Sequence, residues 1–291
     1  MQKKLNISIQ GYPGSFHDEA TKKFFILEDL NLVPADSFDI LASQLRTGMC
    51  DYAVMAIENS IAGTILQNYR ILRENEFWIL GEVYLRIQHN LLVNAGVKKE
   101  DIKTVHSHPM ALSQCLDFFK SELPNAKLTE SKDTALSAIE LASNPNQREA
   151  CVASIQAAKL TGLEVLAESI ETSKNNYTRF FIISNERHIV NKLSNKASVY
   201  IRIPDEKGQL LKVLACIDRH GLNMSKLQSF PVLGRFREYF FHLDIEFDAI
   251  EQYTAIREEL RSLTREFTEL GVYQRADIAD VILVKEEMQT V

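Results

Sequence analysis

A chain of 291 residues, 45% of them hydrophobic, is long enough to bury the cores of about two domains. Its net charge of −6 provides no bulk attraction for nucleic acid or an anionic membrane, so an anionic ligand would need a locally positive site. No apolar run approaches the roughly 18 residues of a membrane span, and MQKKLNISIQG alternates where a signal peptide would carry an apolar block; a cytoplasmic protein with no membrane partner is expected.

The first 183 residues repeat one pattern: a short apolar run, a loop bearing hydroxyls or Gly, then an amphipathic helix. LNISIQ leads into GYPGSFHDEA, and YAVMAI into ENSIAGT. KTVH leads into SHPMALSQCLDFF, AKLTE into SKDTALSAIELA, and EACVA into SIQAAKLTGL. This alternation predicts mostly parallel sheets covered by helices. Ser15 with Asp18 reads as a variant capping box, and Ser107 before Pro109 as a helix start. Leu112, Cys115, Leu116 and Phe119 then fall on one helical face, which is expected to be buried.

In an open α/β sheet, ligands bind at the carboxyl ends of strands, where helix N-termini present free N–H groups. Several loops here carry Ser, Thr, Asn or Gly at that position and could cradle a carboxylate or phosphate, although capping alone explains Ser15, Ser107 and Asp133. Gly11 and Gly14 flank Pro13 at neither GxGxxG nor GxxxxGK[ST] spacing, so nucleotide binding is unsupported. Glu58 and Asn59 follow a continuous apolar run, and Gly63 permits close backbone approach to a ligand; Glu58 reads equally well as a carboxylate that only holds loops. The stretch NNYTRFFII brings Thr178 and Arg179 to the edge of an apolar strand, as a plain β-former at a wet strand end or as a donor and a cation at a site.

Cys50, Cys115, Cys151 and Cys216 are far apart, form no CxxC pair and have no His read at metal-ligand spacing beside them, which suggests reduced, buried thiols. His17, His89, His106 and His108 lie near the loops. His106 and His108 flank Ser107 at i, i+2 and could aim two imidazoles the same way, but no third ligand presents itself and no metal site is expected.

Residues 184–196, SNERHIVNKLSNK, read as a polar linker. Beyond them ASVYIRI reads as a strand and GQLLKVLACIDRH as a helix stopped at Gly221. LNMSKLQSFP and REYFFHLDIEF form a hairpin around VLGRF. A long helix over AIEQYTAIREELRSLTREFTEL and a short strand GVYQ complete a βαββαβ order, the ferredoxin-like plan. The tail 277–291, ending DVILVKEEMQTV, has no assigned role.

GYPGSF, AIENSIAG, SHPMALSQC, DTA and NYTRF, followed by GLNMSKLQSFP and EYFFHLDIEF, occur in the order found in prephenate dehydratases, and the sequence resembles that family over about residues 5 to 276. It departs from the family pattern at His17, where many relatives have a small hydroxyl residue, at Asp133, where Ser is usual, and at Met110, where Gln is usual.

The resemblance implies an α/β catalytic domain (1–183) of two lobes with a periplasmic-binding-protein-like cleft, then an α+β ACT regulatory domain (197–276). It implies the conversion of prephenate to phenylpyruvate without a cofactor, with arogenate as an alternative substrate. Thr178 and Arg179 are the implied catalytic pair; Ser15, Glu58, Asn59, Ser60, Gly63, Thr134, Asn176 and Phe180 are the implied substrate contacts. Gly208, Gln209, Leu210, Asn223, Met224, Gln228 and Ser229 correspond to residues associated with L-phenylalanine binding, and a homodimer or homotetramer is expected. A two-lobed small-molecule sensor without chemistry is the alternative class.

Overall fold

The computed structural model describes residues 4–204, 206–232, 234–235 and 238–277; the tail DVILVKEEMQTV and residues Leu233 and Phe236 of the VLGRF turn lie outside the described residues. The chain divides into two compact units. Among the described residues, one comprises 4–71 and 83–181 and the other 72–82 and 182–277. Among the described residues no helix is long and apolar enough to cross a membrane.

The chain opens with β1 (Leu5–Gln10), α1 (Phe16–Phe24), β2 (Leu30–Ala35), α2 (Phe38–Arg46), β3 (Tyr52–Asn59), the short β4 (Gly63–Thr64), α3 (Leu66–Asn75) and β5 (Trp78–Arg86). There follow β6 (Asn90–Val93), β7 (Thr104–Ser107), α4 (Pro109–Gln114), α5 (Leu116–Glu122), β8 (Lys127–Glu130), α6 (Thr134–Ser143), β9 (Glu149–Ala153), α7 (Ile155–Thr161) and β10 (Glu164–Ala167). The chain then returns through β11 (Tyr177–Ser184).

The first sheet has the order β2-β1-β3-β11-β5, with β4 paired to β3. Its central strand β3 is buried from Ala53 to Ile57, which is why YAVMAI is apolar without alternation. The second lobe is a sheet of order β10-β6-β9-β7-β8, and here the expectation of mostly parallel strands is corrected. β7 runs parallel to β8 and β9, while β6 is antiparallel to both β9 and β10.

Two local readings also change. The stretch after SHP is two helices broken at Cys115, whose backbone leaves the helical region (φ −109, ψ 12). Leu112, Cys115 and Phe119 enter the core, but Leu116 is exposed. The cap of α4 is His108, whose Nδ1 accepts from the Met110 N–H at 3.2 Å; Ser107 ends β7 and donates to the Val152 carbonyl at 2.7 Å.

The GYPG loop is fixed by close approach. Gly11 and Gly14 have φ of +89 and +90, and a Cβ on Gly14 would lie 3.0 Å from the Ala157 Cα. Ser154, which caps α7, donates to the Gly14 carbonyl at 2.6 Å. Gly11 makes room for the Asp133 carboxylate, which a Cβ there would overlap.

The second unit's own sheet follows from β12 (Lys196–Arg202), α8 (Gln209–Arg219), β13 (Asn223–Pro231), β14 (Tyr239–Glu246), α9 (Ile250–Leu263) and β15 (Glu266–Tyr273). The sheet order β13-β14-β12-β15 is that of the ferredoxin-like plan. Ala197, Val199 and Ile201 of β12 pack with Val213, Cys216 and Ile217 of α8 and with Tyr253, Ile256 and Leu260 of α9.

The long helix expected to run through Leu270 stops at Leu263. Thr264 is extended (φ −120, ψ 154), and Glu266–Tyr273 forms a strand paired along the whole of β12. Tertiary pairing outweighs the helix-forming charge pattern there. Lys196, read as the last linker residue, is the first residue of β12. Its side chain is 3% exposed, with Nζ 3.0 Å from Glu82 Oε1 and 3.4 Å from Glu246 Oε1.

Candidate active site

A cavity of about 460 Å³ in the first unit is lined by Ser15, Asn59, Thr134, Thr178 and Phe180 of the expected residues. Several helix N-termini reach its wall, three of them capped by Ser or Asp. Ser15 Oγ accepts from the Asp18 N–H (3.4 Å) at α1, Ser37 Oγ from Ile40 N–H (3.2 Å) at α2, and Asp133 Oδ1 from Leu136 N–H (2.9 Å) at α6. Each brings the positive end of a helix dipole to the cavity. Lys132 also lines it, with Nζ 3.7 Å from Asp36 Oδ2.

Thr178 is held by a network whose polarity can be read from its ends. Asn59 Oδ1 accepts from the N–H groups of Ile61 (3.0 Å) and Ala62 (2.8 Å), which turns Nδ2 toward Asn176 Oδ1 (2.7 Å), the Tyr177 carbonyl (3.2 Å) and Thr178 Oγ1 (2.9 Å). Thr178 Oγ1 therefore accepts from Asn59 and keeps its own proton for the cavity. Asn176 Nδ2 donates to Gln114 Oε1 (2.8 Å), and His89 Nε2 reaches the same oxygen (2.9 Å), which places the His89 proton on Nε2. His89 Nδ1 is buried and has no hydrogen-bond partner.

Arg179 does not line the cavity beside Thr178. Successive strand residues face opposite sides, so Thr178 and Phe180 line the cavity while Arg179 packs over the rings of Phe181 (4.6 Å) and Tyr84 (5.8 Å). The Arg179 guanidinium is 3.9 Å from Glu58 Oε2, so Glu58 also serves the strand's other side. Ser60, Gly63 and Asn176 are not cavity-lining either. Ser60 Oγ donates to the Asn175 carbonyl (2.8 Å) and accepts from Tyr177 N–H (2.9 Å), joining β3 to the start of β11, and Gly63 (φ +82) lies in the β4 turn. Asn176 acts on Asn59 from behind.

The histidines do not form a pair. His106 Nε2 lies 3.5 Å from Glu149, whereas His108 lines the cavity. Burial lowers the pKa of His17, His89 and His108, and that of His17 falls to about 3. His17 sits edge-on to Phe180 (5.0 Å), and its Nε2 accepts from the Ala56 N–H at 3.3 Å. The folded protein thus keeps His17 neutral, while the unfolded chain protonates it below its usual value of about 6.5.

Stability consequently falls as pH drops from about 6.5 toward 3, by about 1.4 kcal/mol per unit for this group. His17→Gln should flatten that slope. Urea midpoints at pH 7 and pH 5 for variant and wild type give the difference, and His89 and His108 act in both proteins alike.

Sequence reasoning missed Gln10, Asp36, Ser37, Phe38, Gln67, Ile87, Gln114 and Lys132 as lining residues. The pattern Ser37, then Leu41, Ala42 and Leu45, was a readable capped helix start, but Gln114 carried no local signal.

In the second unit, a cavity of about 210 Å³ is lined by Gly208, Gln209 and Leu210 with Ile203, Tyr239 and Phe241. Asn223, Met224, Gln228 and Ser229 stand on the edge strand β13 and do not line it within one chain; Ser229 is opposite Phe241, and Asn223 Nδ2 donates to Glu246 (3.2 Å). The absence of a metal-ligand spacing beside the cysteines is also corrected. Cys216 of α8 and its C-cap residue His220 are four residues apart, and with Glu259 of α9 they form a group of three ligand atoms lying within 4.8 Å of one another.

A strand-borne hydroxyl, locked by an amide and facing a cavity ringed by helix N-termini, defines a two-lobed α/β cleft protein. A family model for prephenate dehydratase matches residues 7–188, and the chain belongs to that family. It is 34% identical over 258 residues to arogenate dehydratase/prephenate dehydratase 1, chloroplastic, of Arabidopsis thaliana, covering 84% of this chain and 65% of that protein, so it spans less than two thirds of that relative's length. The solved structure of prephenate dehydratase from Arthrobacter aurescens in complex with L-Phe is 26% identical, with a TM-score of 0.82 and 98% of each chain covered. GqqA, described as a novel type of quorum-quenching acylase, is 28% identical, also with a TM-score of 0.82, covering 94% of this chain and 99% of that one.

Proposed function

We propose that this protein is a prephenate dehydratase of L-phenylalanine biosynthesis, and the observation that carries the reading is the Thr178 hydroxyl, turned by Asn59 to donate into the cavity. In the reaction the bond to the ring carboxylate breaks and its electron pair enters the ring. Carbon dioxide leaves, and the ring C–O bond breaks as the ring becomes aromatic. The departing hydroxide gains a proton, giving water and phenylpyruvate. Thr178 donates to that oxygen as negative charge develops on it. The helix N-termini and Lys132 hold the substrate's carboxylates in place of Arg179. Acyl transfer, the chemistry named for GqqA, needs a base beside the nucleophile, and Thr178's side-chain partner is an amide N–H donor.

A second reading, with arogenate as substrate, is favoured by Asp133. It lines the cavity at 8% exposure, and burial raises its pKa. An ionised Asp133 repels the prephenate dianion and matches the ammonium that replaces the keto group in arogenate. The Arabidopsis relative's name carries both activities. Asp133→Ser keeps an α6 cap and removes the charge, so the ratio of kcat/KM for prephenate to that for arogenate should rise about tenfold, equivalent to about 1.4 kcal/mol. Lowering the pH should move the wild-type ratio the same way, because protonation removes the same charge.

Residues 197–276, within the second unit, are read as an ACT domain that binds L-phenylalanine at the Gly208–Leu210 cavity. The L-Phe complex of the Arthrobacter relative supports this, and the edge strand β13 supports pairing into a homodimer or homotetramer. Four buried free thiols support a reducing, cytoplasmic setting. Incubating the purified protein with prephenate and, separately, arogenate tests the function. Phenylpyruvate or phenylalanine is the expected product, and neither would leave a small-molecule sensor.

A further inference from the structure

We propose that Cys216, His220 and Glu259 form a zinc site in the second unit, joining the C-terminal end of α8 to α9. Cys216 of α8 and its C-cap residue His220 are one turn apart and therefore share a face. Glu259 comes 39 residues after His220 and is delivered by the packing of α9 on α8. His220 Nε2 lies 2.9 Å from Glu259 Oε2, and the thiol, imidazole and carboxylate atoms all lie within 4.8 Å of one another. A tetrahedral zinc with bonds of roughly 2.0–2.3 Å holds its ligand atoms about 3.5 Å apart, a spacing between the 2.9 Å and the 4.8 Å limit found here.

The donor set is sulfur, nitrogen and oxygen, which suits zinc or cobalt rather than magnesium or calcium. Cys216 is fully buried on the core side, while His220 and Glu259 are partly exposed, leaving the fourth position to water. Arg219 pairs with Glu259 Oε1, but its side chain is 65% exposed and can turn to solvent. A surface pair of that kind contributes little. Zinc binds the thiolate, so metal must displace the Cys216 proton. The bound ion would hold the α8 terminus to α9 and stabilise the folded unit.

The test is titration of the full-length, chelator-treated, reduced protein with Co²⁺. A single equivalent should produce a thiolate-to-cobalt charge-transfer band in the near ultraviolet, and Zn²⁺ should displace it. Cys216→Ser should lose the band. Because that residue is in the core, Glu259→Gln at the surface serves as the second variant and should weaken Co²⁺ binding about tenfold or more with unchanged circular dichroism. No band in the wild type, a band that persists in Cys216→Ser, or unchanged affinity in Glu259→Gln overturns the site.

Discussion

Thr178→Val should lower kcat by about a hundredfold to a thousandfold with little change in KM, the loss typical of one preorganised donor to a developing oxyanion. Valine keeps the shape and the β-branching of threonine, so β11 should retain its pairing. What disappears is the hydroxyl that accepts from Asn59 Nδ2, together with the proton it directs to the cavity. Asn59 retains Asn176 Oδ1 and the Tyr177 carbonyl as acceptors, so the network loses one bond rather than its frame. Thr178→Ser preserves the donor and should remain within several-fold of wild type. Equal losses in Val and Ser would mean that shape, rather than the donor, was being measured.

Lys196→Met should cost about 3–5 kcal/mol of stability, because it removes the ammonium that lies against the buried Glu82 carboxylate. Lys196 Nζ lies 3.0 and 3.2 Å from the two oxygens of Glu82, a side chain 1% exposed, and 3.4 Å from Glu246 Oε1. The substitution removes the ammonium 3.0 Å from Glu82 Oε1, while the Ala276 N–H at 3.3 Å is an uncharged donor that does not replace it. The double variant Lys196→Met/Glu82→Met should recover much of the loss, since well-packed apolar groups often replace a buried ion pair without cost. Urea unfolding of the three proteins measures both effects. A single variant within about 0.5 kcal/mol of wild type, the ordinary range for surface changes, would contradict the burial argument.

Local patterns were legible in the sequence. The caps at Ser15, Asp133 and Ser154 announce helices within three residues, and the continuous run YAVMAI announces a strand covered on both faces. What depends on partners far along the chain was not. Lys196 looked like linker because Glu82, 114 positions earlier, is invisible to local composition. Cys216 and His220 stood at readable spacing, but Glu259 joins them only once α9 packs on α8.

Thr178 and Arg179 illustrate the limit best. Adjacency in sequence suggested one site, yet the two-residue strand period sends the hydroxyl to the cavity and the guanidinium to the Phe181 and Tyr84 rings. Even the helix that stops at Leu263 follows this rule, since its continuation is claimed by pairing with β12 rather than by its own charge pattern.

Single-turnover conversion of prephenate by excess wild-type protein, followed beside excess Thr178→Val, tests the central claim most directly. The account predicts that the wild type forms phenylpyruvate and carbon dioxide in equal amounts, and that the folded variant does so about a hundredfold more slowly or worse. Turnover in the valine variant matching the wild type would contradict it.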